Sequence, residues 1–528
     1  MTVNQHEPSA AVIKDGVLLA HCEEERYNRM KASYGKLPLY SVYACLKQAG
    51  LNVSDVDKIV VTGISYPDHD MRVQDYASKR LNIDAPVARV HHQMAHLAAA
   101  YYGSGFEKKS LCLSLDGSGD GLSGMIALGE NGKLTELDSV SSNDSLGFFY
   151  SAITSFLGYA DQDEYKVMGL SAYGEPIFDC SKMIAEEGAW WALDRSFVRD
   201  EPKMMSALEP KYAVKMEHFF GTKGRRPMAP ITQIHKDIAA SAQAHFTGLL
   251  LNALEKWKKR FPDIDHLCYG GGCALNCVTA GELIETGLFK NIFIPCHASD
   301  RGLAVGCAYL GALAEGEIPK PNASAFLGSG YAHEAILKEL TDNGIRFEAV
   351  SDPTEAAASD IAEGHVVGWF QGRSESGARS LGNRSILANP MIPGMRDKVN
   401  QRIKFREAYR PFAPAIRDDA ISDLFQTNGY LSPYMTLTYK TKPGVIERFP
   451  SVIHANQRAR AQSVAAEDNE RFHKLLSNLK AAIGAPVVLN TSFNLNGQPI
   501  VESPRDALMT FYGCGLDVLY VDNFRIVK

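Results

Sequence analysis

The sequence predicts an α/β protein of two domains, and three observations favour this class. Short apolar strands such as 111–115 and 366–370 alternate with segments of helical periodicity such as 235–257. A chain of 528 residues is too long for a single hydrophobic core. A non-periodic stretch rich in Pro, Gly, Ser and Asn over 316–345 predicts a linker. We therefore expect one domain at 1–325 and a second at 326–528.

Composition and charge are those of an ordinary soluble enzyme. Hydrophobic residues make up 45% of the chain, charged residues 22%, and the formal net charge is -6. A net negative chain gives no general reason to expect a nucleic-acid or acidic-membrane partner. The ten cysteines are scattered without a CxxC pair, which favours reduced thiols, and MTVNQHEPSAAV lacks the features of a signal peptide. These observations predict a cytoplasmic protein.

Two blocks of the chain share one pattern of strands and turns. Residues 9–20 read as strand, Asp15-Gly16 turn and strand. Residues 111–134 read as strand, polar loop, strand and a turn around Asn131-Gly132. The repetition predicts a duplicated ribonuclease-H-like domain of the actin, Hsp70 and sugar kinase type, which binds ATP between its halves. Two unrelated hairpins are the alternative interpretation.

Three neighbouring segments carry simpler expectations. The charge cluster EEERYNRMK (23–31) is typical of a solvated helix start. DEYKVMGLSAYGEP (163–176) predicts a polar, glycine-rich loop. Residues 177–232 are the least regular segment, and we interpret them as an insertion that carries a variable pocket wall.

The stretch from His91 to Gly121 predicts a metal site. His92 and His96 have the i, i+4 spacing that places two imidazoles on one helix face, and an apolar strand delivers Asp116 beyond them. Two nitrogens with carboxylate oxygens suit Fe(II), Zn or Mn. Asp300 is a candidate fourth ligand, with a helix N-cap as its alternative role. Hydrogen-bonded core histidines at a chance spacing are the alternative for the pair.

Glycines and short polar groups nearby predict a nucleotide site in the same domain. Gly117 lies in the DGSGDG turn, whose backbone N–H groups are free to face phosphate. Gly271 and Gly272 allow a base and ribose to approach the backbone closely, and Asn276 follows one helical turn later. Glu164 and Lys166 are further candidates to face this ligand. The pattern is neither a Walker P-loop nor a dinucleotide GxGxxG motif.

The second domain contains a strongly basic segment. From Arg373 to Arg410 there are nine Lys or Arg and three Asp or Glu. Arginine forks suit phosphate and carboxylate oxygens, and a lysine offers a compact charge. Further donors follow in Arg460 and in the turn LNTSFNLNG. The segment predicts a site for a small anion and a nucleotide triphosphate, with a solvated basic face or an RNA-binding surface as alternatives.

These blocks together resemble the O-carbamoyltransferase family that includes the tobramycin, cephamycin and ansamycin carbamoyltransferases and the nodulation protein U. The long blocks GRSESGARSLGNRSI and FREAYRPFAP are highly specific. Shorter blocks follow in the family's order over most of the chain, namely HxxxH, LDGSGDG, DEYKVMGLSAYG, YGGGxxxN, HASDRG and LNTSFNLNGQPI.

The resemblance implies a fold and a set of ligands. The N-terminal domain is similar to threonylcarbamoyl-transferring enzymes that bind Fe(II) and nucleotide, and the C-terminal domain is similar to the YrdC fold. The implied metal ligands are His92, His96, Asp116 and Asp300, for Fe(II) or another divalent transition metal. The implied residues for carbamoyl phosphate and for ATP with Mg are Arg373, Arg379, Lys404, Arg410, Arg460, Asn490, Ser492 and Asn494.

The resemblance also implies a mechanism in two steps. Carbamate derived from carbamoyl phosphate attacks the α-phosphate of ATP, so that carbamoyl-adenylate and pyrophosphate form in the C-terminal domain. A hydroxyl of a small-molecule acceptor then attacks the carbamoyl group in the N-terminal domain, and AMP leaves. His6 and Lys31 match the family's N-terminal blocks, which makes them candidates for proton transfer and for binding the leaving phosphate.

Two departures from the family pattern bear on these expectations. The first motif reads HEPSAA rather than HDxSAA, and the five residues before it predict a short first strand. Residues 177–232 match no family block, so we expect acceptor choice to be made there. The acceptor is expected to be a natural product of the antibiotic type, and a homodimer is the candidate assembly.

Three other functions remain as alternatives. A metallohydrolase would use the HxxxH site but leave the basic segment without a role. An ATP-switched binding or maturation protein of the Hsp70 class would bind nucleotide without needing carbamoyl phosphate. Hydrogenase maturation by carbamoyl transfer to cysteine requires acylphosphatase-like and zinc-finger parts, which this sequence lacks.

Overall fold

The computed structural model describes residues 1–3, 6–199 and 211–528. In the N-terminal domain the strands are β1 Ser9–Lys14, β2 Val17–Glu23, β3 Ile59–Thr62, β4 Val87–Val90, β5 Ser110–Gly119, β6 Leu122–Glu130, β7 Lys133–Ser141, β8 Ile184–Glu187, β9 Trp190–Leu193, β10 His266–Gly270 and β11 Asn291–Phe293. The helices are α1 Glu24–Asn28, α2 Leu39–Ala49, α3 His69–Tyr76, α4 His92–Ser104, α5 Leu146–Phe156, α6 Glu164–Leu170, α7 Val214–Phe220, α8 Gln233–Arg260, α9 Cys277–Thr286 and α10 Leu303–Ala314.

Five strands of the second half of this domain form one mixed sheet in the order β11-β10-β5-β6-β7. Strands β5, β6 and β7 are an antiparallel meander, whereas β10 runs parallel to β5 and β11 parallel to β10. In chain order within the unit the arrangement is 3-2-1-4-5, which is the topology of a ribonuclease-H-like unit.

The first half repeats this arrangement with its first strand reduced. Strands β1 and β2 form an antiparallel hairpin, and β3 and β4 are parallel. Thr2 bridges Ser9 on β1, while the amino group of Met1 donates to the Val60 carbonyl of β3 at 2.8 Å. Residues 1–3 therefore lie where the first strand of the unit belongs. The predicted α/β class and the duplicated ribonuclease-H-like domain are confirmed.

Small residues bring the two halves together. Helices α4 and α10 pack against each other, and a Cβ added at Gly306 of α10 would lie 1.8 Å from the Ala95 carbonyl of α4. A Cβ at Gly270 would lie 2.8 Å from the His96 carbonyl. Only glycine permits backbones this close. The close packing brings α4, with its two histidines, next to the turn that precedes α10.

The C-terminal domain is built around an eight-stranded mixed sheet. The strands of this domain are β12 Glu348–Ala349, β13 Val367–Phe370, β14 Arg384–Ala388, β15 Ala413–Arg417, β16 Phe425–Gln426, β17 Tyr439–Thr441, β18 Arg458–Ala459, β19 Gln462–Val464, β20 Val487–Ser492, β21 Val518–Val521 and β22 Phe524–Val527, and β16, β17 and β18 form a separate small sheet. Its helices are α11 His333–Asp342, α12 Pro353–Ala362, α13 Met395–Val399, α14 Ile421–Leu424, α15 Val445–Arg448, α16 Glu470–Ile483 and α17 Pro504–Tyr512. The large sheet has the order β12-β22-β21-β13-β14-β20-β15-β19, and α12 and α16 pack together beside it.

Three local expectations are wrong. The linker predicted over 316–345 contains helix α11, because Ile336 and Leu340 provide one buried face. The loop predicted at 163–176 begins with helix α6. The charge cluster at 23–31 is not a solvated helix start, since Glu24 and Arg26 are each 2% exposed. Tertiary partners explain that burial, because Glu24 accepts hydrogen bonds from the backbone and hydroxyl of Ser41.

The irregular segment 177–232 is described in part. Residues 184–193 form the β8–β9 hairpin, and His245 of α8 donates to the Ile184 carbonyl. Residues 200–210 lie outside the described residues, so the expected pocket wall is only partly visible there. All ten cysteines are free thiols. Among the described helices, none has the length and apolar character needed to cross a membrane.

Candidate metal centre and cationic cluster

The four predicted metal ligands lie together between the two halves of the N-terminal domain. One ligand atom from each of His92, His96, Asp116 and Asp300 lies within 4.8 Å of all the others. The Nε2 atoms of His92 and His96 are 3.2 Å apart, and they lie 3.0 Å and 3.4 Å from Oδ2 of Asp116. Both Nε2 atoms are 3.4 Å from Oδ1 of Asp300. We call these four residues the metal centre.

The geometry and chemistry of the metal centre fit a divalent transition metal. Bonds of about 2.1 Å from one ion to each ligand place neighbouring ligand atoms about 3.0–3.4 Å apart. The observed separations fall in this range, and two imidazole nitrogens with two carboxylates form a mixed donor set that suits Fe(II), Zn or Mn.

Glycines allow the ligands to converge. A Cβ at Gly119 would lie 2.1 Å from Cγ of His92, and one at Gly272 would lie 2.8 Å from Oδ1 of Asp116. A Cβ at Gly271, where φ is +86°, would lie 2.1 Å from the Leu115 carbonyl. The predicted nucleotide glycines Gly271 and Gly272 thus lie directly against the strand that delivers Asp116.

Electrostatics of the metal centre favour a cation. Burial opposes protonation of His92, but Asp300 and Asp116 outweigh burial and raise its pKa to about 10. Burial and the neighbouring Asp300 carboxylate oppose ionisation of Asp116, and hydrogen bonds from His92 and His96 nevertheless lower its pKa. Two buried carboxylates therefore need positive charge between them, which an ion supplies.

His6 lies close to the metal centre. Burial opposes its protonation, but the charges of Asp300, Glu7 and Asp116 raise its pKa. Its Nδ1 is buried and has no hydrogen-bond partner among the described residues. The next residue, Glu7, has a φ of +53° and is held by an ion pair with Arg301 and a 2.8 Å hydrogen bond from Ser299. These contacts hold the residue next to His6, and they were not apparent in the sequence.

Lys31 lies between the metal centre and the C-terminal domain. Its Nζ is 5.4 Å from the ring centroid of Tyr165, and the guanidinium of Arg410 is 4.7 Å from the same ring. Burial lowers the pKa of Lys31, while Asp163 raises it. Sequence reasoning chose Glu164 and Lys166 on α6 but missed Tyr165, whose ring both cations approach.

The other predicted nucleotide residues line the same region in different roles. Glu164 accepts from Ser151 at 2.7 Å, and Lys166 pairs with Asp163 at 2.9 Å and with Glu407 at 3.4 Å. Asn276 caps helix α9 and exchanges hydrogen bonds with a glutamine of α8. Gly117 lies beside Phe148 of α5, and a Cβ added at Gly117 would make an ordinary van der Waals contact with that ring at 3.5 Å.

A group of cations in the C-terminal domain faces this region. Its members exert like-charge effects on one another, and we call them the cationic cluster: Arg379, Lys404, Arg406, Arg410 and Arg460. Burial, with repulsion from Arg460, lowers the pKa of Arg379 to about 9. Burial, with repulsion from Arg410, lowers the pKa of Arg406 to about 9. Arg406 was not among the sequence candidates, although it lies in the same basic segment.

Few hydrogen bonds or ion pairs in the described residues neutralise the positive charge of the cationic cluster. Neither Arg379 nor Arg460 hydrogen-bonds or ion-pairs with any residue in the described ranges, and Nε of Arg460 is buried without a partner. Arg410 pairs with Glu407 at 3.5 Å. A recessed group of cations with few carboxylates is the arrangement expected of a polyanion site.

The predicted polar residues of β20 adjoin this cluster. Nζ of Lys404 donates to Oδ1 of Asn494 at 2.7 Å and lies 3.3 Å from Oγ of Ser492. Asn490 is buried and bonds to Ser380 and Gln462, next to the Arg379 backbone. Arg373 is not part of the cationic cluster. Its guanidinium donates instead to three backbone carbonyls, those of Leu19, Leu327 and Gly328.

The metal centre and the cationic cluster adjoin across the domain interface. The charge of Arg301, whose neighbour is the ligand Asp300, is among those that lower the pKa of Arg379, after burial and Arg460. The hydroxyls of Tyr159 and Tyr409 are 2.7 Å apart across the same interface.

Comparison with known proteins identifies the family. The model described as Carbamoyltransferase N-terminus matches residues 69–309, and Carbamoyltransferase C-terminus matches residues 358–528. Nodulation protein NolNO of Sinorhizobium fredii is 33% identical over 99% of this chain and 79% of its own length. Nodulation protein NolO of Bradyrhizobium diazoefficiens is 34% identical over 83% of this chain and 79% of its own length.

One solved structure shows a much weaker similarity, both in sequence identity and in fold. Full-length HypF in the phosphate- and nucleotide-bound form has 13% identity and a TM-score of 0.31, covering 60% of this chain and 48% of that chain. A likeness this weak carries no argument about fold or activity. The matched family models and the identity to the nodulation proteins show that this chain is an enzyme that belongs to the carbamoyltransferase family.

Proposed function

We propose that this enzyme is an ATP-dependent O-carbamoyltransferase that works in two half-reactions. The observation that carries the proposal is the cationic cluster, because five recessed cations with few counter-charges face the domain that holds the metal centre. A metallohydrolase has no use for such a cluster. The proposal includes a domain division after residue 325, which lies between the two matched regions.

The first half-reaction is assigned to the cationic cluster. Carbamoyl phosphate loses phosphate to water, and an oxygen of the resulting carbamate attacks the α-phosphorus of ATP with release of pyrophosphate. Arg379 and Arg460 have free donors for phosphate oxygens and offset the charge that builds on the transferring phosphoryl group. Nζ of Lys404 is held by Ser492 and Asn494 beside these arginines, and we assign it to the same phosphate site.

The second half-reaction is assigned to the metal centre. An acceptor hydroxyl attacks the carbamoyl carbon, the bond to the adenylate oxygen breaks, and AMP leaves. Fe(II) or another divalent ion held by the four ligands would supply Lewis-acid polarisation of the carbamoyl group. We assign exchange of the hydroxyl proton to His6, whose pKa responds to the charges of Asp300 and Asp116, and stabilisation of the leaving phosphate to Lys31.

The side of the metal centre near His6 suits a neutral or positively charged hydroxyl compound. Tyr34 is 46% exposed, and its ring centroid lies 6.1 Å from that of His6. Burial raises the pKa of Tyr34, and so do the carboxylates of Asp161, Glu164 and Glu7 around it. An aromatic ring among carboxylates favours a hydroxylated or cationic acceptor over an anionic one.

The test of the first half-reaction is ATP–pyrophosphate exchange by the purified enzyme, with and without carbamoyl phosphate. We expect exchange that requires carbamoyl phosphate and persists in His96→Ala. Exchange in neither condition would exclude the adenylate step and favour the hydrolase. Nucleotide binding that ignores carbamoyl phosphate would favour the ATP-switched binding protein.

A further inference from the structure

The loop 371–383 belongs to the C-terminal domain, contacts the N-terminal domain and carries Arg379. It leaves β13 and returns as β14, and its ends are joined by a 2.9 Å hydrogen bond from the Gln371 N–H to the Asn383 carbonyl. Inside the loop, Oε1 of Glu375 accepts three backbone N–H groups, those of Leu381, Asn383 and Arg384, at 2.7 Å, 2.7 Å and 3.0 Å. The loop is therefore shaped by its own buried carboxylate.

The tip of this loop docks onto the N-terminal domain. Gly377 has a φ of +95°, and a Cβ there would lie 2.0 Å from the Cys296 carbonyl. Its carbonyl accepts from Arg26 at 2.9 Å, and its N–H donates to Glu23. The tip thus lies directly against residues 296–301, the turn that supplies Asp300 to the metal centre.

Ser376 joins the loop to this turn through two histidines. Nε2 of His21 is 2.7 Å from the Arg301 carbonyl, which can only accept, so Nε2 carries the proton. Nδ1 of neutral His21 is then an acceptor, and the Ser376 hydroxyl donates to it at 2.5 Å. The same oxygen accepts from Nδ1 of His297 at 3.3 Å.

The protonation states of the histidines agree with this directed chain. Burial lowers the pKa of His21 to about 4 and that of His297 to about 3. Both imidazoles are therefore neutral at physiological pH, and each has one donor and one acceptor nitrogen. One buried hydroxyl consequently links the Arg379 loop to both ends of the turn that carries Asp300.

We propose that Ser376 is a positioning residue that couples the placement of Arg379 to the turn carrying Asp300. The proposal rests on the proposed carbamoyl-adenylate function. Arg379 is three residues beyond Ser376, and Asp300 lies between the two points that the hydrogen-bond chain holds, His297 and Arg301. The two half-reactions thereby share one structural element, and a displacement of either side is transmitted to the other.

The test compares Ser376→Ala with Ser374→Ala. Both hydroxyls are buried in the same loop, but Ser374 donates to Glu502 of the C-terminal domain at 2.8 Å and not to the N-terminal domain. Ser376→Ala removes the bonds to His21 and His297, and Ser374→Ala removes the bond to Glu502, so both variants should lose some thermal stability. We expect Ser376→Ala to raise KM for carbamoyl phosphate in pyrophosphate exchange about 10-fold. Its kcat should change less, and Ser374→Ala should stay within about 2-fold of wild type in both parameters.

Two outcomes would overturn the proposal. Equal KM values for the two variants would reduce Ser376 to a structural residue. If the wild-type enzyme shows no exchange, the proposed function fails, and hydrogen–deuterium exchange then tests the coupling by itself. Ser376→Ala should increase amide exchange both in 377–383 and in 297–302, whereas Ser374→Ala should leave 297–302 unchanged. Unchanged protection of 297–302 in Ser376→Ala would exclude the coupling.

Discussion

The metal centre and the cationic cluster differ in how their charges are balanced. In the metal centre two imidazoles and two carboxylates converge on one another, and an added cation replaces protons on the imidazoles. In the cationic cluster like charges converge, and burial and mutual repulsion lower the pKa of Arg379 and Arg406. With neutral imidazoles the metal centre keeps the negative charge of its two carboxylates, which suits one small divalent cation, whereas the larger positive charge of the cationic cluster suits a large polyanion.

The cationic cluster should give the largest effect when one member is removed. Arg379→Ala should lower the kcat/KM of pyrophosphate exchange by about 1,000-fold, because a charged donor to the transferring phosphate is lost. Arg402→Ala is the matched control, since Arg402 is 47% exposed and pairs with Asp517 away from the cluster. Its exchange should stay within about 2-fold of wild type. Equal losses in the two variants would mean that general basicity, not the cluster, supports binding.

Loss of one ligand of the metal centre should reduce metal binding and not pyrophosphate exchange, unlike loss of one cation from the cationic cluster. His96→Ala should weaken metal binding by more than about 100-fold, because even residues that only orient ligands contribute 10–100-fold. Metal content after dialysis, measured by mass spectrometry, should fall to background, while carbamoyl-phosphate-dependent exchange continues. Loss of exchange together with metal would show that the two sites are not chemically separate.

The contact between the tip of the loop 371–383 and the turn that carries Asp300 can be disrupted at Gly377. Gly377→Ala places a Cβ against the Cys296 carbonyl at a left-handed φ, so we expect the free energy of unfolding to fall by about 3 kcal/mol or more. Gly394 also has a positive φ, of +76°, but nothing lies within 4 Å of its Cβ position, so Gly394→Ala should cost about 1 kcal/mol. Denaturant titration measures both values. Equal losses of unfolding free energy in the two variants would show that the loop tip does not pack tightly against the turn that carries Asp300.

The smallest effect concerns pH and the neutral histidines at this contact. Because burial lowers the pKa of His21 to about 4, His21 binds a proton more readily in the unfolded chain than in the folded chain between about pH 4 and 6.5. The contribution of His21 to the free energy of unfolding should therefore fall as pH decreases, by about 2 kcal/mol between about pH 7.5 and pH 5. Denaturation curves should show a weaker pH dependence for His21→Asn. An unchanged slope would assign the effect to other groups.

The two sites also differed in how far the sequence could predict them. The HxxxH spacing, the aspartate at a strand end and the Asp300 turn each carry a local signature, and their four side chains do converge. The basic segment was recognisable as a set, but its composition did not separate Arg379, which belongs to the cationic cluster, from Arg373, which donates to backbone carbonyls. Charge density is visible in a sequence, whereas the direction of a side chain is set by its partners.

Residue type and local periodicity by themselves determined the α/β class, the repeated strand-and-turn units and the candidate ligands, because these depend on neighbours within a few positions. Tertiary structure alone decided that EEER is buried, that Glu7 is clamped by Arg301 and that Ser376 bridges two histidines. These contacts join residues separated by up to 355 positions. Such pairings leave no periodic signal, since their partners come from different elements and meet only when the two domains pack together.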